Sequence, residues 1–149
     1  MPAISLITLA VASVPRARAF YEALGMRTSP LGNESVAFLD AGGVVLSLYG
    51  REALAGDTGL TDARPGGITL ALNVERAEQV GERLADAVAA GARTLKEPRE
   101  MPWGGVTAYF VDPDGHPWEI TWVAEFPLTE DGRIVLAMGD DEDGGGTTA

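Results

Sequence analysis

The residues best suited to chemistry are concentrated in one short run, Asp112 to Glu119. The run begins with two carboxylates, continues with His116, the only histidine of the chain, and ends with Glu119. Imidazole and carboxylate groups serve as metal ligands or as general acids and bases. His116 and Glu119 are three residues apart, and on an extended segment such residues face opposite sides. We therefore predict that they do not share a site and that His116 is an exposed turn residue.

The two aspartates of this run admit a second interpretation. Asp112 and Asp114 resemble a fragment of a calcium-binding loop, but the third acid and the distal Glu of such a loop are missing. Short acidic side chains also bond to nearby backbone N–H groups in turns. We interpret both residues as shaping a turn.

Composition excludes several classes of function. The chain has 22 acidic and 11 basic residues, a balance unsuited to nucleic acid, which requires clustered basic charge. It has no cysteine, which excludes disulfides, thiolate metal sites and cysteine nucleophiles and makes the cytoplasm the expected location. No nucleophile elbow, phosphate-binding loop or dinucleotide fingerprint occurs, and no apolar run is long enough to span a bilayer. We expect a small organic molecule as partner, and neither nucleic acid nor membrane.

The chain states one pattern twice. Ile7 to Val11, followed by an amphipathic helix, reappears as Ile68 to Leu72 followed by another helix. Phe38 to Gly43 likewise reappears as Phe110 to Gly115. A pattern that recurs along the chain indicates repeated structural units. We therefore predict two copies of one unit.

The first copy has the pattern of a strand, a helix and three further strands. Ile4 to Val11 alternates in hydropathy, Ser13 can cap a helix, and Pro15 suits its first turn. The predicted helix has an apolar stripe formed by Ala17, Phe20, Tyr21 and Leu24, and ends at Gly25. Strands are predicted near 26–29, 35–40 and 44–49, separated by turns at 30–33 and 41–43.

The second copy repeats this order after a polar connector, 51–65, with one helical turn at 51–55. A strand is predicted at 68–73 and a helix from about Arg76 to Gly91, with a stripe formed by Ala77, Val80, Leu84 and Val88. Strands follow near 93–96, 106–111 and 118–123, and the loop 98–105 is long enough to be a lid. A weak strand, 134–137, precedes the acidic tail, which we expect to be disordered from about residue 139.

Two tandem βαβββ modules, the helix run Phe20 to Gly25 and the hairpin run Asp112 to Glu119 resemble the vicinal oxygen chelate superfamily. That superfamily includes glyoxalase I, extradiol dioxygenases and bleomycin-binding proteins. The resemblance covers about Ile4 to Val123. It implies an α+β fold in which two modules form a curved, cup-shaped mixed sheet with helices on the outer face. We expect one domain over 1–125, with module 1 at about 3–50, module 2 at about 67–123, and an extension over 126–149.

The superfamily's metal enzymes bind a divalent ion through side chains on the first and fourth strands of each module, typically His then Glu. Transferred by position, the first module has Leu6 and Ser47 at these places. The second has Thr69 or Gly67, depending on the alignment, and then Glu119. Zn, Ni, Fe and Mn need about three good protein donors. One carboxylate does not meet this need, so the residues support no metal cofactor.

The cup itself remains as the candidate site. By strand parity it is lined by Leu6, Thr8, Ala10, Val45, Ser47, Tyr49, Thr69, Ala71, Pro117, Glu119 and Thr121. We select Glu119 as the candidate catalytic residue, and Leu6, Thr8, Ser47, Tyr49, Thr69, Thr121 and the loop residue Trp103 as candidate ligand contacts. Glu119 could equally be a structural residue, either paired with an Arg or bonded to Ser47 or Thr69 across the cup. Trp118 and Trp122 face away from Glu119 and are expected in the core.

Three hypotheses follow for the function. The first is a metal-independent small-molecule-binding protein of the bleomycin-resistance kind, with an apolar cup and the single carboxylate of Glu119. The second is a divalent-metal-dependent lyase, isomerase or dioxygenase, which the resemblance favours and the residues do not. The third is a metal-free enzyme using Glu119 as general acid or base. The resemblance also implies a homodimer.

Overall fold

The computed structural model describes residues 4–136, within which eight strands and three helices occur. The elements of the first module are, in chain order, β1 (Leu6–Val11), α1 (Val14–Ala23), β2 (Arg27–Asn33), β3 (Val36–Asp40) and β4 (Val45–Gly50). The connector and second module contain α2 (Arg51–Thr58), β5 (Leu70–Asn73), α3 (Glu78–Ala90), β6 (Arg93–Glu100), β7 (Val106–Val111) and β8 (Pro117–Trp122). The predicted βαβββ order is confirmed in both modules. Across this described part, no helix has the length and hydropathy needed to cross a membrane.

Each module forms its own four-stranded mixed sheet. The strand orders are β1-β4-β3-β2 and β5-β8-β7-β6. In both sheets the first strand is parallel to the fourth, and the other pairs are antiparallel. The predicted α+β fold of two tandem modules is confirmed, with the eight strands divided between two sheets.

The strand register shows which positions of the two modules are equivalent. Thr8 pairs with Ser47 in the first sheet, and Ala71 pairs with Glu119 in the second. Ser47 and Glu119 occupy the same place in their fourth strands, so Thr8 is the counterpart of Ala71. The structural repeat is therefore offset by two residues from the repeat of the sequence letters.

This register also decides which residue of the second module, Thr69 or Gly67, corresponds to the first metal-ligand position of the superfamily's metal enzymes. Leu6 lies two residues before Thr8, and Thr69 lies two residues before Ala71. The counterpart of Leu6 is therefore Thr69 and not Gly67.

The helices begin and pack as their sequences predict, with one exception. The Ser13 hydroxyl accepts a bond from the Arg16 N–H at 3.3 Å, and Pro15 lies in the first turn of α1. The buried residues of the two module helices are Val14, Ala17, Phe20 and Tyr21 of α1 and Val80, Leu84 and Ala87 of α3. Val88, predicted in the stripe of α3, is instead 46% exposed, because Ala87 takes the inward position.

Two predicted loops are wrong. β2 continues to Asn33 through a bulge between Thr28 and Gly32, so the predicted turn at 30–33 belongs to a strand. β6 continues to Glu100, and Met101 donates its N–H to the Gly105 carbonyl at 2.8 Å. The predicted eight-residue lid is therefore a tight five-residue turn. The predicted helical turn at 51–55 is the start of the longer helix α2.

Residues 127–135 form a C-terminal hairpin that was predicted only as one weak strand. Leu128 bridges to Ile134, and Gly132, with φ of 82°, occupies the turn between them. The hairpin reaches the β3–β4 turn, where a Cβ on Gly43 would lie 3.0 Å from Arg133 Cδ. The remainder of the predicted weak strand, from residue 137, and the tail predicted to be disordered lie outside the described residues.

Candidate functional site

A cavity of about 400 Å³ lies over one face of the second sheet. Its floor consists of residues that share this face of β5 and β8: Ala71, Asn73, Glu119 and Thr121. Its walls are apolar and come from outside the sheet: Trp103, Val123, Phe126 and Ile134. Glu119 is the one ionisable residue among these eight. The site is thus an apolar chamber with a single carboxylate on its floor.

Glu119 is fixed by a neighbouring tyrosine. Tyr109 faces it across β7 and β8, and its hydroxyl donates to Glu119 Oε2 at 2.7 Å. This hydrogen bond and then burial raise the pKa of Tyr109, so the phenol stays protonated at neutral pH. The six ion pairs found among residues 4–136 do not include Glu119. Its charge is therefore available to a ligand.

Two further polar groups lie on the floor beside Glu119. Asn73 and Thr121 are register partners on β5 and β8. Asn73 Oδ1 and Thr121 Oγ1 are buried atoms without a hydrogen-bond partner in the described part of the chain. Buried polar atoms are paired in the great majority of native structures. Both atoms are enclosed by protein and are not exposed on the cavity surface, so the surface that the cavity offers a ligand is largely apolar.

Trp103 forms a wall of the cavity because a glycine leaves room for its ring. A Cβ placed on Gly105 would lie 2.0 Å from Trp103 Cζ3 and 2.8 Å from the Trp122 carbonyl oxygen. No side chain fits there, so the indole packs directly on the Gly105 backbone. Trp103 is nevertheless 54% exposed, with one part of the ring toward solvent.

The structure brings together three of the eight residues predicted from the sequence. Glu119, Thr121 and Trp103 line the cavity. The other five do not line it: Leu6, Thr8, Ser47, Tyr49 and Thr69. Leu6 and Thr8 are exposed on the edge strand β1, and Thr69 is exposed just before β5. Ser47 is buried in the first sheet, at 3% exposure.

Tyr49 does not reach the cavity and is hydrogen-bonded to a residue of α2. Its hydroxyl donates to Asp57 Oδ2 on α2 at 2.9 Å, and this bond raises the pKa of Tyr49. The fourth strand of each module thus has its own tyrosine and carboxylate pair nearby, but only the pair in the second module belongs to the cavity.

Asp112 is a structural residue, as its turn interpretation predicts. It is buried, and its Oδ1 accepts the backbone N–H groups of Asp114 and His116. Its Oδ2 accepts the Tyr21 hydroxyl of α1 at 2.5 Å. Burial, followed by the charge of Asp112, raises the pKa of Tyr21 far above its ordinary value. Asp112 therefore stabilises the turn through its backbone bonds and connects the turn to the first module through Tyr21.

The same turn makes three more hydrogen bonds to the first module. Asp114 Oδ1 accepts the Ala12 N–H at 2.8 Å and Arg16 Nη2 at 3.0 Å. His116 Nε2 bonds to the Ala10 carbonyl at 2.7 Å. The prediction that His116 is exposed is wrong, because the end of β1 partly buries it. Asp112, Asp114 and His116 therefore connect the second module to the first.

Comparison with known proteins identifies the family. The family model of the Glyoxalase/Bleomycin resistance protein/Dioxygenase superfamily matches residues 3–120. The chain belongs to this superfamily. A glyoxalase-related enzyme from Fulvimarina pelagi is 31% identical, with a TM-score of 0.84 over 93% of this chain and 100% of that chain.

More distant members of the superfamily share the fold. A family enzyme from Burkholderia phytofirmans PsJN, at 22% identity, has a TM-score of 0.75 over 82% of this chain and 99% of that one. Lactoylglutathione lyase from Agrobacterium tumefaciens, at 20% identity, has a TM-score of 0.63 over 83% of this chain and 96% of that one. No protein among those with curated descriptions matches significantly.

The divalent-metal site of the superfamily's metal enzymes does not fit this donor set. Of the four corresponding positions, Leu6 has no donor atom, Ser47 and Thr69 offer hydroxyls, and only Glu119 is a carboxylate. Within residues 4–136, no three His, Cys, Asp or Glu side chains are grouped so that they could hold a metal ion. Stable sites for Zn and similar ions use about three such donors.

Sequence reasoning missed four residues that line the cavity and one that only contacts Glu119: Asn73, Val123, Phe126 and Ile134, and then Tyr109. Asn73 shares the parity of Thr69 and Ala71, so extending the lining by one more position would have found it. Tyr109 is opposite Glu119 only because of the β7–β8 register, which the sequence does not specify. Phe126 and Ile134 carry no pattern that predicts their position, because the segment containing them folds back through tertiary contacts.

Proposed function

We propose that this member of the superfamily binds a small organic molecule in the Glu119 cavity and needs no metal to do so. The observation that carries the proposal is an apolar chamber of about 400 Å³ with a single carboxylate on its floor, which has no ion-pair partner among residues 4–136. Ligand pockets commonly have volumes of roughly 300 to 1,000 Å³, with apolar walls and few polar groups. Burial of the ligand would supply affinity, and the Glu119 carboxylate would orient it.

Metal independence is supported by the donor set. Binding a ligand through a metal requires an ion that the protein holds with several donor side chains. The cavity lining has one such donor, Glu119. Binding by this protein then depends on the contacts of the lining residues with the ligand itself.

The proposal is tested by filling the cavity. Ala71→Trp places a large side chain on the floor, whereas Ala89→Trp places the same side chain on an exposed position of α3. We expect wild type and Ala89→Trp to bind small aromatic probes in ligand-observed NMR, with and without a chelator, and Ala71→Trp to lose binding. Equal binding by both variants would remove the cavity as the site. Binding abolished by the chelator would favour the metal-dependent hypothesis.

A metal-free enzyme is a second candidate, favoured by the 2.7 Å hydrogen bond between Tyr109 and Glu119. A carboxylate and a protonated phenol could act as base and acid on a bound substrate. Here Glu119→Gln should abolish turnover of a substrate while leaving its dissociation constant little changed. A pure binding protein has no turnover to lose.

Cytoplasmic location and a homodimer stay predictions. The absence of cysteine supports the first, and the resemblance implies the second. Fractionation of the host cell and light scattering on the purified chain would test them.

A further inference from the structure

The second sheet has an open edge at β5. Within residues 4–136, β5 is the edge strand of this sheet and pairs with β8. Val74, which directly follows β5, donates its N–H to the Thr121 carbonyl at 3.0 Å. The backbone groups of successive residues point to opposite sides of a strand, so Ala71 and Asn73 direct their N–H and C=O groups away from β8. In the described part of the chain these outward groups are not hydrogen-bonded.

A groove of about 740 Å³ lies along this edge. β5 and the residue after it contribute Ala71 and Asn73 from one face and Leu72 and Val74 from the other. The other walls come from the end of α1, the β3–β4 turn, α3 and the C-terminal hairpin. Because the groove contacts both faces of the strand, it lies where a further strand would pair with β5.

The corresponding edge of the first sheet is partly covered. Its edge strand is β1, and the β7–β8 turn lies against the end of that strand. His116 bonds to the Ala10 carbonyl at 2.7 Å, and Asp114 accepts the Ala12 N–H at 2.8 Å. Native proteins commonly cover or shorten edge strands, because an open edge pairs with other extended chains. The edge of β5 is instead accessible from a groove.

The groove is continuous with the Glu119 cavity. Ala71, Asn73 and Ile134 line both of them. A residue paired opposite Ala71 would have its side chain on the same face as the Ala71 side chain, which is the face over which the cavity lies. An extended chain along this edge can therefore insert a side chain into the apolar chamber while its backbone pairs with β5.

We infer that the edge of β5 binds a short peptide in an extended conformation, as an added antiparallel strand whose apolar side chain enters the Glu119 cavity opposite Ala71. The inference rests on the proposed binding function and names its ligand class. In strand addition, backbone hydrogen bonds provide affinity and pockets for alternate side chains provide specificity. Ala71 and Asn73 can each exchange two hydrogen bonds with an antiparallel partner, and parallel pairing is slightly less stable.

The charges around the groove favour a basic peptide. The linings of the groove and the cavity contain more carboxylates than guanidinium groups: Asp40, Asp86, Asp131 and Glu119 against Arg83 and Arg133. The whole chain has a net charge of −11, which raises the local concentration of cations around it. We therefore expect a peptide in which apolar and basic residues alternate.

A chemical change in the peptide alone tests the backbone pairing. The probe is acetyl-Ala-Lys-Phe-Lys-amide, titrated into the full chain at neutral pH by calorimetry. With Phe opposite Ala71 in an antiparallel pair, the Phe N–H points to β5 and the N–H of the preceding Lys points away. N-methylation of Phe should weaken binding on the order of tenfold, whereas N-methylation of that Lys should not. Equal binding by the two methylated peptides would refute strand addition.

Two further peptides test the side chains. Acetyl-Ala-Lys-Ala-Lys-amide lacks the apolar group that enters the cavity, and acetyl-Ala-Glu-Phe-Glu-amide has the opposite charge. We expect each to bind on the order of tenfold more weakly than the probe. If the alanine peptide binds as tightly as the probe, the cavity does not receive a side chain. If the acidic peptide does so, the charges of the linings do not select the ligand. Either result would overturn the inference.

Amide exchange locates the peptide on the protein. With the probe at saturation, the amides of Ala71 and Asn73 should exchange on the order of tenfold more slowly. The matched control is Thr8, the counterpart of Ala71 on β1, whose N–H also points away from its sheet. Protection of Thr8 instead of Ala71 would contradict the inference. Protection of Ala71 that rises with protein concentration alone would assign the edge to a second copy of the chain, which also contradicts it.

The outcomes separate this inference from the function on which it rests. If small aromatic probes bind, and Ala71→Trp abolishes their binding, while no peptide binds, the cavity binds small molecules and strand addition is refuted. If neither the aromatic probes nor the peptides bind to wild type, both the function and the ligand class fail.

Discussion

Tyr109 and Glu119 are register partners on β7 and β8, and the phenol donates a 2.7 Å hydrogen bond to the carboxylate. The bond connects the outer part of the second sheet to the floor of the cavity. It engages Oε2, and no residue of the described part of the chain donates to Oε1. The hydrogen bond therefore orients Glu119, which has no ion-pair partner among residues 4–136.

A double-mutant cycle should measure this bond. We expect a coupling free energy of about 1 to 2 kcal/mol between Tyr109→Phe and Glu119→Gln, from urea unfolding at neutral pH. The matched control is the Tyr49→Phe and Asp57→Asn cycle, whose hydrogen bond is exposed and should show a much weaker coupling. Equal coupling in the two cycles would contradict the orienting role of Tyr109.

Gly105→Ala should displace Trp103 from the cavity. The added Cβ would meet the indole at 2.0 Å and a backbone oxygen at 2.8 Å, so the ring must move. We expect a loss of about 1 to 3 kcal/mol in unfolding free energy, a red shift of tryptophan fluorescence and weaker binding of aromatic probes. Gly56→Ala, on α2 with no atom within 4 Å of the new Cβ, should be neutral or stabilising. Unchanged fluorescence in Gly105→Ala would show that the indole does not pack there.

Tyr21→Phe should change the pH dependence of stability. The pKa of Tyr21 is raised in the folded chain, so its contribution is complete below the unfolded value of about 10 and is lost as pH rises above it. At neutral pH we expect the variant to be less stable by about 1 to 3 kcal/mol, because buried Asp112 loses a donor. Above about pH 10 its unfolding free energy should fall less steeply than that of wild type. Parallel curves from urea unfolding across this range would refute the assignment.

Ile134→Ala should weaken ligand binding, although Ile134 lies outside both modules. Its side chain forms a wall of the cavity, while the neighbouring Val135 does not line it and is 51% exposed. Truncation removes part of the apolar contact with a ligand, so we expect affinity for aromatic probes to fall about threefold to tenfold. Val135→Ala is the matched control and should bind as wild type does. If both variants bind equally well, the C-terminal hairpin does not contribute to the site.

The fold was largely predictable because local signals and the repeat agreed. Ser13, Pro15 and the apolar stripe of α1 specify that helix, whereas α3 has no side-chain N-cap and is specified by its apolar stripe and by Gly91 at its end. These signals failed where strand pairing overrides the turn preference of the local residues. Pro30 and Gly32 indicate a turn, yet the bulge against β3 keeps them in a strand.

The site was predictable only where strand parity was sufficient. Parity places Glu119 and Thr121 on one face, and both line the cavity. Parity does not give the register between adjacent strands. The contact of Tyr109 on β7 with Glu119 on β8 was therefore missed. Parity also cannot state which part of a sheet face is enclosed, so Thr8 and Ser47 were included although the cavity lies over the other sheet.

Residues that enclose the cavity after Trp122 are distinct from the residues that form the two sheets and the core. Both sheets and their helices are complete by Trp122, whereas Phe126 and Ile134 follow them and still enclose the cavity. A change in that short appendage can alter the shape of the chamber without disturbing a strand ladder or the core. New specificities can therefore evolve, or be engineered, on this scaffold at little risk to its ability to fold.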